Sequence, residues 1–300
     1  MTASKLGSSG RDDARFTEIR DANHFGQVDL ARKHKMKRSE RAALVDRDLL
    51  QEQQQQLHRD GYVIIEGLMT DQELDALRRE ATDHLSHLGR NSFEGERTQR
   101  IYGLPSKLRS ADPFIEHPLI VAHLETLMLP NFLLSQAQVI NILDGSPAQP
   151  VHMDDSFYPF PRPRPPLSIA TVFAIDDFTA DNGATIAYPG SHSWDADRSP
   201  GPDDTMIKAI MPAGSCILFL GTLWHGGGEN HSGRSRMALT AQYCEAYLRT
   251  QENYFLTVDA KTVAHLSEDM QRMLGYSIHP PFIGMSNGMH PKRVLEGLID

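Results

Sequence analysis

Residues 215–247 read SCILFLGTLWHGGGENHSGRSRMALTAQYCEAY. The run Cys216-Ile217-Leu218-Phe219-Leu220 is continuously apolar, too short for a helix, and bounded by Gly214 and Gly221, which marks a buried strand. Leu223-Trp224 prolongs the apolar texture up to His225, and Gly226-Gly227-Gly228 follows. A polar turn, Glu229 to Ser235, then reverses the chain, and Arg236–Tyr247 is a second apolar strand. On this reading Arg236 projects from a strand paired with the one that delivers His225.

The same texture extends upstream to residue 132. Phe132–Leu143, Leu167–Ile175, Ile186–Tyr188 and Met206–Ile210 are short apolar stretches separated by Pro, Gly, Asn and Asp. Strands at this spacing predict a sandwich or barrel. Residues 46–131 read differently. A helix is expected over Asp46–Arg59, stopped by Gly61, and Tyr62-Val63-Ile64-Ile65 reads as a buried strand. Thr70 and Glu73 form a capping box that opens an amphipathic helix to Leu88, and a further helix spans Pro118–Leu129. Residues 1–45 are polar, charged and without periodicity, and read as a flexible segment ahead of one domain, 46–300.

Composition bounds the function. The chain has 300 residues, 40% of them hydrophobic, with a net charge of −9 and a pI near 5.8. That is enough for a sizeable core, and its acidity argues against a nucleic-acid surface. No stretch approaches the ~18 apolar residues of a membrane span, and Met1–Arg20 has no apolar signal region. Two cysteines, Cys216 and Cys244, make no disulfide scaffold. They read as buried thiols of a cytoplasmic protein.

The chemistry is concentrated in His152-Met153-Asp154. On a strand, residues i and i+2 share a face roughly 6.5–7 Å apart, so both side chains can reach one metal. Asp155 points the other way and reads as a turn or surface carboxylate. The third ligand is sought among His192, His225 and His231; placement at the end of a buried strand favours His225. Two histidines and one carboxylate on one face of Fe(II) leave the opposite face open to a co-substrate and O₂. A buried Arg236 needs an anion, and the distal carboxylate of 2-oxoglutarate suits it; Arg234, in the turn, is the competitor.

With these residues in place the chain resembles the phytanoyl-CoA dioxygenase family of Fe(II)/2-oxoglutarate oxygenases. The resemblance runs over residues 61–247 through Gly61-Tyr62-Val63-Ile64 and the Leu74-Asp75-Ala76-Leu77 helix. It continues through Gln149-Pro150-Val151-His152-Met153-Asp154, Asn182-Gly183-Ala184-Thr185, Pro189-Gly190-Ser191-His192 and His225-Gly226-Gly227-Gly228 to Arg236. It implies a mainly β protein with flanking helices around a double-stranded β-helix, the cupin-like jelly roll. It further implies iron at His152, Asp154 and His225, and 2-oxoglutarate held by Arg236. Gln149, Thr185 and Arg100, or alternatively Arg97, match positions lining the co-substrate or substrate site. Each has a plainer reading: a backbone bridge for Gln149, a β-branched strand residue for Thr185, a surface ion pair for Arg100.

Halogenating relatives replace the carboxylate by Gly or Ala, so Asp154 points to hydroxylation of a small-molecule C–H, with succinate and CO₂ as by-products. Two other classes compete. One is a cupin-like protein that binds metal or 2-oxo acid without turnover. The other is a zinc hydrolase, which has little use for Arg236. Neither substrate identity nor oligomeric state is legible. Arg162 and Arg164, in the Pro-rich loop after the motif, are read equally as solvent-facing or substrate-contacting, and Trp224 as turned away from the metal.

Overall fold

The computed structural model describes residues 37–298; most of the expected N-terminal segment, residues 1–36, lies outside them. The chain already packs on the domain at Ser39. Its N–H donates to Glu125 Oε1 at 2.7 Å and its hydroxyl to Asp269 Oδ2 at 2.7 Å. Lys37 and Arg38 pair with Glu268 and with Glu125.

Helix α1 (Arg47–Asp60) is capped by Asp46, whose carboxylate accepts from the N–H groups of Asp48 and Leu49, and closes on Gly61 in the left-handed region. Strand β1 is Tyr62–Ile65. The Thr70–Glu73 capping box opens α2 (Asp71–Thr82), with Leu74, Leu77 and Ala81 buried along one face. The helix ends at Thr82 rather than Leu88, because His84 and Leu85 donate to Ala81 and Thr82, tightening the last turn. Strand β2 (Thr98–Tyr102) follows. Then come the four-residue α3 (Asp112–Ile115) and the almost wholly buried α4 (Pro118–Leu127).

The β-rich remainder forms two antiparallel sheets. Strands β3 (Leu133–Ile142), β4 (Ser168–Ala174), β7 (Cys216–Leu220) and β9 (Arg236–Cys244) join β1 and β2 in a six-stranded sheet ordered β1-β7-β4-β9-β3-β2. Strands β5 (Thr185–Ala187), β6 (Ile207–Lys208) and β8 (His225–Gly227) form a three-stranded sheet ordered β6-β5-β8. This is the jelly roll expected from the resemblance.

Period-two alternation explains both faces of the large sheet. Along β9, Met237, Leu239, Ala241 and Tyr243 join the main core with the helices, and Tyr243 Oη donates to Ile115 O at 2.6 Å. Ala238 belongs to the second core, between the sheets, with Ala170, Phe178, Ile217 and Phe219. Arg236, Thr240 and Gln242, on that same inner face, line a cavity of about 440 Å³. Cys216 and Cys244 are buried free thiols. Among the described residues no helix is long and apolar enough to cross a membrane.

Two connections differ from the sequence reading. His225 does not end the β7 strand. The chain turns after Leu220 and His225 opens β8 in the small sheet, paired with Ala187 of β5. Arg236 therefore does not sit on a strand paired with that of His225: β9 pairs with β3 and β4, so the two residues face each other from opposite sheets. The apolar continuity of Leu223-Trp224 concealed the turn. In addition the segment around Arg100, which the sequence reading assigned to no strand, forms β2, an edge strand in register with β3, Arg100 opposite Ile140.

Candidate metal centre and co-substrate pocket

The site forms at one mouth of the cavity. His152 is held by a two-way backbone bridge to His225, with N–H···O distances of 2.8 and 2.9 Å. Asp154 is the first residue of a turn, not part of an extended strand. The convergence survives because Asp155 anchors that turn from behind: its N–H donates to Gly221 O at 3.1 Å. Its carboxylate accepts from Arg164 Nη1 at 2.8 Å and from Leu167 N at 3.2 Å. Asp155 is thus fully buried, not a surface carboxylate, and Arg164 is its partner rather than a solvent-facing charge. Arg162 is likewise occupied. It donates to the carbonyls of Ser191, His192 and Thr222 at 3.1, 3.2 and 3.1 Å, lashing the Pro-rich loop to the turn before His225.

Asp154 Oδ1 lies 3.6 Å from His152 Nε2 and 3.5 Å from His225 Nε2. One ligand atom from each residue falls within 4.8 Å of the others. Both Nδ1 atoms face backbone carbonyls, Pro150 O at 2.9 Å and Leu223 O at 3.0 Å. A carbonyl only accepts, so each Nδ1 carries a proton and each Nε2 is free to present its lone pair inward. Burial disfavours the Asp154 charge, but without a metal the attraction to a protonated His225 and hydrogen bonds from His152 and His225 hold the carboxyl below its usual range, a place that a cation would take over from those protons. Asp154 Oδ2 is buried without a hydrogen-bond partner. Two imidazole lone pairs beside an ionised, half-unsatisfied carboxylate fit a divalent cation with N/O preference. His192 and His231 are elsewhere: His192 Nε2 faces His58 O at 3.2 Å, and His231 is an exposed partner of Glu229.

Phe219 packs under His225 with ring centroids 4.3 Å apart, and Phe93 meets His152 edge-on at 4.8 Å. Neither was foreseen; Phe219 is invisible in a continuous apolar run. Trp224 is not among the residues lining the cavity.

Arg236 is 3% exposed. Its guanidinium lies 4.1 Å over the Phe178 ring and donates to Gly183 O and, at 3.5 Å, to Asn182 O. Burial draws its pKa down to about 9, with Asp176 opposing. No carboxylate among the described residues forms an ion pair with it. Gly183 (φ +84°) makes room: a Cβ there would stand 3.4 Å from Arg236 Nη2. A Cβ on Gly228 would come within 2.6 Å of Ala184 O, so the glycine run lets β8 close against β5.

The remaining expected residues also reach the cavity. Thr185 is buried on β5 opposite Gly227. Gln149 Oε1 accepts from Gly227 N at 3.2 Å while its Nε2 donates to Phe93 O at 2.9 Å. Among the described residues Arg100 makes no surface ion pair. It donates to Glu94 O and to Gln138 Oε1, at 2.8 and 3.0 Å, and burial lowers its pKa. Arg97 turns to Asp144 O instead.

A jelly roll with two histidines and one carboxylate converging on an open cavity is the arrangement of the mononuclear non-haem iron oxygenases. Sequence comparison gives the family: the profile of phytanoyl-CoA dioxygenase (PhyH) matches residues 57–238, and the chain belongs to that family, whose reagents are Fe(II), 2-oxoglutarate and O₂. The dioxygenase olcK of Penicillium canescens is 31% identical over 73% of this chain and 78% of its own length. The dioxygenase ALT11 of Alternaria alternata is 32% identical over 76% and 82%. Among solved structures, the epimerase SnoN in complex with Fe3+, alpha ketoglutarate and nogalamycin RO superposes with a TM-score of 0.57 at 20% identity. The match covers 70% of this chain and 90% of SnoN. HygX of Streptomyces hygroscopicus, with nickel, 2-oxoglutarate and hygromycin B bound, gives 0.56 at 14% identity over 69% and 90%. These two share the fold.

Proposed function

We propose that this dioxygenase hydroxylates an unactivated C–H bond of a small-molecule metabolite, with His152, Asp154 and His225 as the metal ligands. The observation that carries the reading is the pairing, in one cavity, of that three-residue set with a buried guanidinium that forms no ion pair with a carboxylate among the described residues. A bare metal-binding protein needs only the former. A zinc hydrolase has no use for the latter.

Fe(II), when bound, supplies the coupling of O₂ activation to decarboxylation of the 2-oxo acid. The chain supplies the rest. The Pro150 and Leu223 carbonyls fix the two imidazole tautomers so that neutral nitrogens face the metal. Arg236 offers a fork to the distal carboxylate of 2-oxoglutarate, with Phe178 shielding its other face. Gln149 and Thr185 border the space between. Phe93 and Phe219 keep water from the imidazole faces. The retained Asp154 occupies a ligand position that halide would need, which favours hydroxylation.

The test is production of succinate from 2-oxoglutarate by the Fe(II)-loaded protein across a metabolite panel, with mass analysis for a product one oxygen atom heavier. The Asp154→Ala protein is expected to lose both succinate formation and stoichiometric iron. Normal succinate formation by that variant would remove the ligand assignment.

A further inference from the structure

The end of the cavity away from Arg236 is walled by amides. Gln136, Gln138, Gln242 and Gln251 all line it, and they form one continuous chain. Arg100 Nη1 donates to Gln138 Oε1 at 3.0 Å. Gln138 Nε2 donates to Gln136 Oε1 at 2.5 Å, and Gln136 Nε2 to Gln242 Oε1 at 2.9 Å. Gln251 Nε2 donates to the same Gln242 oxygen.

An amide row of this kind is usually ambiguous in direction, because oxygen and nitrogen can exchange. Here the direction is forced. A guanidinium has donors and no acceptor, so Gln138 must turn its oxygen to Arg100, and each amide after it must then donate forward. The row ends at Gln242, whose oxygen has both lone pairs engaged. Its Nε2, with two N–H donors, takes no hydrogen bond among the described residues and borders the cavity. A β-bulge makes this possible. The β3–β9 register shifts between Leu134 and Gln136, which moves Gln136 from the core-facing phase of Leu134 to the inner face beside Gln138. Between this end and Arg236 strands β3, β4 and β9 line the cavity with the apolar Ile140, Ile142, Val172 and Ala238 and the small hydroxyl of Thr240. Gln242 lies six residues along β9 from Arg236, on the order of 20 Å, too far for one 2-oxoglutarate molecule to occupy both ends.

We propose that Gln242 is a specificity-determining residue, and that the primary substrate is an apolar-skeleton metabolite carrying a carbonyl oxygen, as ketone, lactone or amide, which accepts from Gln242 Nε2. This rests on the oxygenase reading of the cavity. An apolar belt takes the skeleton, and a donor-only terminus at its end selects an acceptor. A substrate group that can only donate, such as an ammonium, finds no free oxygen on Gln242. The Arg100 charge at the head of the row polarises each amide in turn and strengthens the terminal donor.

The experiment uses two probes of one skeleton, 1-tetralone and tetralin, and equilibrium dialysis against the full chain, with and without Fe(II) and 2-oxoglutarate under nitrogen. The variants are Gln242→Leu and Gln242→Glu. The Glu form still accepts from Gln136 and Gln251, so it keeps the row intact while removing the donor. Circular dichroism confirms that both are folded. One neutral hydrogen bond predicts a roughly five- to tenfold loss of 1-tetralone affinity in both variants, with tetralin binding held or improved in the Leu form. Unchanged 1-tetralone affinity, parallel loss of both probes, or no measurable binding of 1-tetralone to the wild type overturns the proposal. The visible charge-transfer band of the anaerobic Fe(II)–2-oxoglutarate sample is read separately. Its absence counts against the oxygenase reading, whereas the probe comparison without metal still reports on Gln242.

Discussion

Arg236 shows how one residue can carry a site's meaning. A guanidinium buried to 3% exposure, resting on an aromatic face and on two backbone carbonyls, is an expensive arrangement unless an anion completes it. Asp176 is the nearest electrostatic help, but its Oδ2 is committed to the Met237 N–H at 2.7 Å. Charge-assisted hydrogen bonds contribute about 1.5–3 kcal/mol, so Arg236→Ala should raise the 2-oxoglutarate concentration for half-maximal succinate formation roughly ten- to a hundredfold. Steady-state kinetics over a wide range of 2-oxoglutarate tests this. Unchanged saturation would move the carboxylate clamp to Arg100, a half-buried guanidinium of the same cavity, or to Arg234. The residue was legible in the sequence because an arginine opening an apolar strand is conspicuous. Its strand partner was not legible, because the turn between Leu220 and His225 is written in residues that also suit a strand.

At the scale of elements, the segment over the cavity mouth is tied by one carboxylate. Glu94 accepts from Arg90 Nε at 3.0 Å, from the Arg90 N–H at 2.8 Å and from Tyr102 Oη at 2.8 Å. The same segment presents Phe93 to His152. The hydrogen bond from Arg90 leads the causes that hold the Glu94 carboxyl down, from 4.5 to about 2. A depressed acid contributes stability that is fully present above its unfolded pKa and is lost as pH falls through the folded one. The clasp should therefore loosen between about 4.5 and 2, seen as faster amide exchange over residues 89–97. In Glu94→Gln, exchange there should already be fast at neutral pH and flat across that window; a retained acid transition would assign it to another carboxylate. None of this was visible beforehand, since Thr98-Gln99-Arg100-Ile101-Tyr102 becomes a strand only by pairing with β3, forty residues away in sequence. The Thr70–Glu73 box, by contrast, is local, and the sequence showed it directly. The amide row had no signal either: its four glutamines come from two strands and a loop, joined by a bulge.

At the scale of the whole molecule, the site is a bridge between two sheets. His225 belongs to the small sheet and Arg236 to the large one, while His152 and Asp154 sit on the β3–β4 connection, which joins two strands of the large sheet. A metal alone ties the connection to the small sheet. 2-Oxoglutarate, held by the metal at one end and by Arg236 at the other, would tie both sheets together. Ligands that bind only the folded state stabilise it by about 2.7 kcal/mol at a hundred times Kd, which is roughly 5–10 °C in Tm for a domain of this size. Fe(II) under nitrogen should produce a shift of that order, and 2-oxoglutarate should add a second shift only when metal is present. With a chelator in place, 2-oxoglutarate alone should leave Tm nearly unchanged, because Arg236 by itself offers one fork and no chelate. Asp154→Ala should abolish the metal shift, whereas Arg236→Ala should keep it and lose only the 2-oxoglutarate increment. Differential scanning fluorimetry of the wild type and these two variants separates the contributions. An equal 2-oxoglutarate shift with and without metal would show that the co-substrate binds independently of the His152–Asp154–His225 set, and the bridge between the sheets would have to be abandoned.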